Sequence, residues 1–352
     1  MKITRFLQLI FAFILLFNIS CTSDFEQTLE PITYENGYFI TNEGSFNKPD
    51  AEVSFVTQDL NFLQNDIYKA NNNENLGDVL QTMAFNGSKA YLVLNNSNAI
   101  QIVDRVTFKK QATVTSNLVN PRYIAFSGNQ YFVTNNNFGN IIQLNAYNVA
   151  DNSYVSNVSF PRTAEKVVEA GGKIVVQTDG VTYGPAPNFE ELPTGHTVTI
   201  VTPSNMSKLE ITLPSNGIIR DLISYNGDAY VLASGNTNSY IYKINSTAGT
   251  FTTTTLTGIA KAQKLRIDSN KFYFNDNTNK IYSMNLTSTT VPTNPLVTST
   301  GNAYGFNVID GRIFVSDASF TGSSKVNVYN ASNGLLLTTF NAGIGTNGFY
   351  KN

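Results

Sequence analysis

The sequence predicts an all-β protein, a seven-bladed β-propeller of four-stranded antiparallel blades, on three observations. The first is a cassette of short runs rich in β-branched and aromatic residues. Between Gln81 and Thr113 four such runs follow one another, with Asn86-Gly87 between the first two, and Asn-Gly is the strongest two-residue hairpin signal. The second is recurrence. The cassette's first turn is found as Asn36-Gly37, Asn86-Gly87, Gly128-Asn129, Gly171-Gly172, Asn226-Gly227, Ser269-Asn270 and Asp310-Gly311, each followed by an apolar run such as Tyr91-Leu92-Val93 or Phe272-Tyr273-Phe274. Gly37 and Gly311 lie 274 positions apart over six intervals, a period of about 46 that falls within the roughly 40 to 50 of propeller repeats. The third is composition. The 352 residues are 41% hydrophobic but only 14% charged, and Asn, Thr and Ser fill the gaps between apolar runs, which suits a turn-rich β-protein with a large buried interior.

Taken in order, the chain opens with an export leader. Lys2 and Arg5 precede an apolar segment from Phe6 to Phe17 and then Asn18-Ile19-Ser20-Cys21, a charged start and short hydrophobic stretch that fit a signal peptide over residues 1–20 better than a membrane span. Cys21 is the only cysteine. It is the expected lipidation site of a bacterial lipoprotein, the alternative being a plain secretory leader with an incidental cysteine. A single cysteine forms no intramolecular disulfide, so packing alone must hold the fold. Residues 21–35 are polar, with Asp24, Glu26, Glu30 and Pro31, and read as a lipid-anchored tether ahead of a propeller over 36–352. Net charge is -2, and becomes -4 without Lys2 and Arg5. With no basic stripe to release counterions, nucleic-acid binding is excluded.

The first cassette lacks an inner strand ahead of Asn36-Gly37, whereas the last has an excess beyond Leu335-Leu336-Leu337-Thr338-Thr339-Phe340. Gly348 to Lys351 is therefore expected to supply the first blade's inner strand, which would close the ring and remove an open sheet edge. Gly343, Gly345 and Gly348 spell a G-x-G-x-x-G, but only four residues follow, too few for the helix that a dinucleotide site requires. In the fourth blade the segment between Gln177 and Thr197 carries an insertion from Val181 to Pro193 with three prolines. A segment of that length is either a flap over a ligand mouth or an irregular edge. Tyr183 and Phe189 would be the flap's apolar contacts.

In such a ring the tight turns collect on one face and the longer loops on the other, and function concentrates in loops on a rigid scaffold. Glu43, Asn95, Asn96, Asn135 and Asp317 lie in or beside those loops, while Asp78, Gln81, Arg122, Tyr123, Arg162, Arg220 and Tyr304 lead into the inner strands. Together they are the candidate ligand-binding residues, a ring of amides, guanidinium groups, carboxylates and tyrosines suited to a polar ligand with several donors and acceptors. The competing explanation is that Asn tolerates positive φ in turns and that Arg and Asp pair between blades.

Asn42-Glu43-Gly44, Leu76-Gly77-Asp78-Val79-Leu80-Gln81-Thr82-Met83, Asn95-Asn96-Ser97 with Ile100-Gln101-Ile102-Val103-Asp104, and Pro121-Arg122-Tyr123-Ile124 resemble the YncE-like propeller lipoproteins of Bacteroidota. Within that group they resemble the BtuG-type surface proteins. The resemblance implies a lipid-anchored protein at the outer membrane, facing the cell exterior. Such a protein would bind a corrinoid such as cobalamin and pass it to a TonB-dependent transporter. The acidic residues after Cys21 resemble the surface-export signal of the same group, and a periplasmic location is the alternative.

Catalysis has little to stand on. His196 is the only histidine and no Gly-x-Ser-x-Gly elbow occurs, so no Ser-His-Asp relay is in sight, and His196 reads as a solvated loop residue. Some propeller lactonases hold an axial divalent cation, for which Glu43, Asn95, Asn135, Asp276 and Asp317 have the right chemistry. No bidentate Glu follows at the calcium-loop position after Asn275 or Asp276. The sequence thus favours a non-catalytic capture protein, with a metal-dependent lactonase or hydrolase and a protein-interaction scaffold as alternatives.

Overall fold

The computed structural model describes residues 33–352; the leader, Cys21 and the first part of the tether lie outside the described residues. Seven four-stranded antiparallel sheets follow one another as predicted. Blade 1 contains β1 (Gly37–Asn42), β2 (Glu52–Thr57) and β3 (Leu63–Gln64); blade 2 runs from β4 (Leu80–Asn86) to β7 (Lys110–Val114), and blade 3 from β8 (Pro121–Ser127) to β11 (Tyr154–Ser159). Blade 4 consists of β12 (Val167–Ala170), β13 (Lys173–Gln177), β16 (Thr197–Val201) and β17 (Lys208–Thr212), interrupted by a separate hairpin of β14 (Val181–Tyr183) and β15 (Glu191–Pro193). Blades 5, 6 and 7 run from β18 (Ile218–Tyr225) to β21 (Thr250–Leu256), from β22 (Ala262–Asp268) to β25 (Val297–Thr298), and from β26 (Ala303–Ile309) to β29 (Leu336–Asn341).

The last strand, β30 (Thr346–Lys351), pairs antiparallel with β1 and is the inner strand of blade 1. It begins two residues before the expected Gly348. The two ends of the propeller meet where the other blades have their first turn: the Asn352 N–H donates to the Gly37 carbonyl at 2.9 Å. The turns themselves follow their chemistry. Gly171-Gly172, Asn226-Gly227, Ser269-Asn270 and Asp310-Gly311 all have both residues at positive φ, as a type I′ hairpin turn requires. In blade 2 Asn86 pairs with Lys89, so the turn is Gly87-Ser88, one residue later than the Asn-Gly signal suggests.

The interior is seven cores rather than one. Each buried cluster straddles one blade-to-blade interface: Tyr91, Val93 and Ile102 of blade 2 meet Ile124, Tyr131 and Tyr147 of blade 3, and Tyr38, Ile40 and Val56 of blade 1 meet Phe314, Val326 and Val328 of blade 7 with Phe349 of β30 between them. Large aromatics fill the wedge between sheets: Tyr131 and Tyr147, cross-strand neighbours on one face of blade 3, stack at 5.0 Å, and Tyr131 meets Tyr91 of blade 2 at 5.4 Å. Packing also reaches upstream of the expected domain start. Tyr34 is buried against Phe55 and Phe108 at 5.3 and 6.1 Å, and its hydroxyl accepts a hydrogen bond from Asn71 at 2.8 Å.

Asn71 belongs to an element that periodicity misses, helix α1 (Ile67–Asn72) between blades 1 and 2. Six residues with no side-chain cap and a left-handed Asp66 before them leave no helix signature in the sequence. Ile67 and Tyr68 are nonetheless fully buried in the interface between blades 1 and 2.

Candidate functional site

A cavity of about 890 Å³ occupies the propeller axis and opens beneath the β14–β15 hairpin. Its polar lining has one structural origin. At the start of nearly every inner strand the pairing with the second strand slips, and a bulge leaves the residue there outside the ladder. The skipped residues are Asn347 in blade 1, Gln81 in blade 2, Arg122 with Tyr123 in blade 3, Arg220 in blade 5, Gln263 in blade 6 and Tyr304 with Gly305 in blade 7. All but Gly305 line the cavity. A bulge frees a side chain from the alternation of its strand and re-aims it, so seven blades together present a ring of polar groups to the axis. In blade 4 the equivalent position holds Glu165 and Lys166, whose backbones bond Gln177 on both sides.

These side chains form a connected network. Arg122 grips Glu165 with a forked pair, Nε to Oε2 at 3.0 Å and Nη2 to Oε1 at 2.7 Å. Burial alone would lower the Arg122 pKa, but the charge and hydrogen bonds of Glu165, with Tyr123 and Glu43 nearby, together outweigh it and raise it. Glu43 accepts hydrogen bonds from the Tyr304 hydroxyl at 2.7 Å and Asn347 Nδ2 at 3.0 Å, and its burial pushes its pKa up. Gln81 donates to the Tyr123 hydroxyl at 3.4 Å, and burial raises the Tyr123 pKa well above its ordinary range. Asp221 is fully buried below the ring. It receives hydrogen bonds from Lys166, from Arg266 Nη1 at 2.8 Å and from the Leu265 N–H at 2.9 Å. Burial would raise its pKa; the two cations and the amide reverse that and hold it at about 2.

The hairpin is tied to the rim by ion pairs. Glu191 of β15 pairs with Arg220, whose Nε also donates to Ser234 Oγ at 2.9 Å. At its root Arg162 Nη2 donates to buried Asp179 and to Thr197 at 2.9 Å each, and Gly195 lies so close to the Asp179 carboxylate that a Cβ there would sit 2.5 Å from its oxygen. Val181, Thr182 and Thr194 line the cavity, so the insertion covers the mouth as a flap. Tyr183 and Phe189, expected as its apolar contacts, are each 61% exposed and do not line the cavity. Replacing Arg220 with alanine is expected to loosen this flap without unfolding the ring: hydrogen exchange over residues 181–193 accelerates while stability changes by about 1 kcal/mol or less, the worth of a partly exposed pair. Unchanged exchange would show that the flap is held by something else.

Seven of the twelve candidate residues, Glu43, Gln81, Arg122, Tyr123, Arg162, Arg220 and Tyr304, line the cavity. The other five build the loops. Asn95 is buried and donates to the Pro121 carbonyl of the next blade at 3.1 Å; Asn135 is buried and accepts from the Val119 N–H at 2.8 Å. Asp78 accepts from Asn96 Nδ2 at 2.5 Å, Asn96 also donates to Asn47, and Asp317 accepts from the Asn302 N–H at 2.8 Å. Asn95, Asn135 and Asp317 thus satisfy backbone groups of the loops, the structural use of Asn and Asp in turns, while Asp78, Asn96 and Asn47 bond one another through their side chains. Of the residues with cation-binding chemistry only Glu43 faces the cavity, and among the described residues no group of three or more His, Cys, Asp or Glu is placed to hold a metal ion. His196 is half-buried, with its Nδ1 enclosed and lacking a partner, rather than solvated. Lys166, Gln177, Gln263, Arg266 and Asn347 also line the cavity. Their signal in the sequence is position alone, at or near the start of an inner strand, or, for Gln177, at the end of the second strand.

Fold and site together define a seven-bladed propeller with a polar axial cavity under a hairpin flap. The chain belongs to the family described as a domain of unknown function, DUF5074, whose model matches residues 36–348. No curated protein matches it. Among solved structures it is similar to a quinoprotein alcohol dehydrogenase-like protein from Bacteroides thetaiotaomicron, with a TM-score of 0.68 at 15% identity over 90% of this chain and 78% of that one. It is also similar to a functionally unknown protein from Desulfotomaculum acetoxidans, with a TM-score of 0.65 at 12% identity over 89% of this chain and 98% of that one. A third is the dihydro-heme d1 dehydrogenase NirN in complex with DHE, with a TM-score of 0.56 at 13% identity, covering 91% and 75%. At these identities the likeness shows the fold alone.

Proposed function

We propose that this protein captures a small polar molecule in the axial cavity, without chemistry, and that it does so as a lipid-anchored protein of the outer membrane that hands its cargo to a TonB-dependent transporter. The observation that supports capture most is the bulge-built ring: six of the seven blades place a skipped polar side chain on a single cavity of about 890 Å³, a volume in the range of small-molecule sites. The anchor, the transporter and a corrinoid cargo come from the resemblance to BtuG-type proteins, and the amide-fringed macrocycle of a corrinoid suits the forked donors and amides of the lining.

The chain lacking residues 1–21 is expected to bind cyanocobalamin or cobinamide in calorimetry. Arg122→Ala is expected to weaken binding by about tenfold or more, the loss of a forked charged donor. No heat with either compound would remove corrinoids from consideration, and a fluorimetric screen of polar metabolites without a single stabilising hit would sink capture itself. A protein-interaction scaffold is the second reading. Phe46, Phe138 and Phe320, on the second-to-third-strand connections of three blades, are 71%, 80% and 48% exposed, and exposed aromatics of that size suit a docking surface.

A further inference from the structure

The cavity's charge departs from that of the whole chain. In a protein of net charge -2, six cationic side chains line it: Arg122, Arg162, Lys166, Arg220, Lys264 and Arg266. Five of them are matched within the protein, Arg122 by Glu165, Arg162 by Asp179, Arg220 by Glu191, and Lys166 with Arg266 by the single carboxylate of Asp221. Lys264 has no carboxylate partner among the described residues. Its ammonium donates to the Tyr304 carbonyl and stands 5.3 Å over the Tyr304 ring.

We infer that the cavity is built for an anionic small molecule, one presenting a carboxylate or a phosphate, and that Lys264 is the residue that meets its charge. This rests on the capture reading and narrows it to a class of ligand. An unpaired cation held among other cations is a poor arrangement for stability, and an arriving anion completes it by supplying the counter-charge that Lys264 lacks. Preorganised, partly desolvated donors attract an anion far more strongly than the same groups in water.

The surroundings of Lys264 make this testable by pH. Its burial above all, and then Lys166 beside β12 and Arg266 on its own strand, push its pKa down to about 7, against the opposing pull of Asp221 on β18 and of Glu43 across the cavity. A bound anion raises that pKa. Binding is therefore strongest below about pH 7, where Lys264 is charged before the ligand arrives, and weakens by up to about tenfold per pH unit above it, where a proton must be taken up.

The experiment is calorimetric titration of the full chain with inorganic phosphate and, separately, with citrate, at about pH 6 and about pH 9, with a neutral sugar and cobinamide as comparison arms. At least one anion is expected to bind at the lower pH and to weaken more than about tenfold at the higher. Lys264→Met abolishes that binding while folding at least as stably as the parent. Lys264→Arg, which does not titrate in this range, keeps the binding and loses its pH dependence. Binding of phosphate without citrate, or the reverse, assigns the anionic group. No binding of either anion while cobinamide or another neutral compound binds overturns the anion inference and leaves capture standing. Anion binding unchanged in Lys264→Met overturns it equally. Failure of every compound, charged and neutral, brings down the capture reading with it.

Discussion

A chain ending at Ile344, without the last eight residues, is expected to lose cooperative folding. Those residues contain β30, the inner strand of blade 1, so their removal strips β1 of its partner and opens the ring. It also empties the interface between blades 1 and 7, where Phe349 is 1% exposed between Phe314, at 5.4 Å, and the apolar residues of β1. Because the interior consists of seven separate interfaces, no central core remains to hold the ends together once one interface is lost. Asn347 adds to the effect, since its Nδ2 donates to Glu43 and to the Leu80 carbonyl of blade 2. The milder change Phe349→Ala is expected to cost about 3 to 5 kcal/mol, the usual cost of emptying a buried aromatic site. Thermal unfolding followed by circular dichroism is the measurement, and a truncated chain that melts at the parent's temperature would sink the account of closure.

Asp221→Ala is expected to be the most damaging single substitution around the cavity, at about 3 to 5 kcal/mol, because removing one partner of a buried ionic group leaves the others uncompensated. Here two cations, Lys166 and Arg266, would face each other, and the Leu222 and Leu265 N–H groups would lose their acceptor. The same carboxylate predicts acid sensitivity. Its folded pKa of about 2 lies below the ordinary value of about 3.9 for an unfolded aspartate. A depressed carboxyl pKa gives stability that is fully present above about pH 4 and is lost as pH falls towards about 2. The stability gap between the parent and Asp221→Asn should therefore shrink over that window. A gap that stays constant between those pH values would mean that Asp221 is not the ionised centre of the network.

The closure by the C-terminal strand, the seven blades and the flap insertion were legible because each leaves a local trace: a turn pair at a fixed period, an apolar run, an excess of chain at one end. The candidate site was half legible. Arg122, Tyr123, Arg220 and Tyr304 stand at the start of inner strands, a position that sequence spacing identifies. Asn95 and Asn135 stand in turn-rich segments that look equally exposed, yet both are buried, Asn95 bonding the neighbouring blade and Asn135 the segment that enters its own. Nothing local separates an amide that faces a ligand from one that caps a backbone carbonyl across an interface. Helix α1 and the half-buried His196 escaped for the same reason, since their burial is supplied by residues distant in the chain.

The sequence by itself determined the repeat, the turn types and the order of strands, because glycine and asparagine at positive φ and alternating apolar residues act within a few residues of one another. The tertiary structure decided which polar side chains converge. Bulges at the mouths of six blades turn Gln81, Arg122, Arg220, Gln263, Tyr304 and Asn347 towards one axis, and ion pairing there leaves Lys264 alone without a counter-charge. Convergence is a property of the closed ring, in which strands more than two hundred residues apart in sequence become neighbours, and no pattern confined to a single blade encodes it.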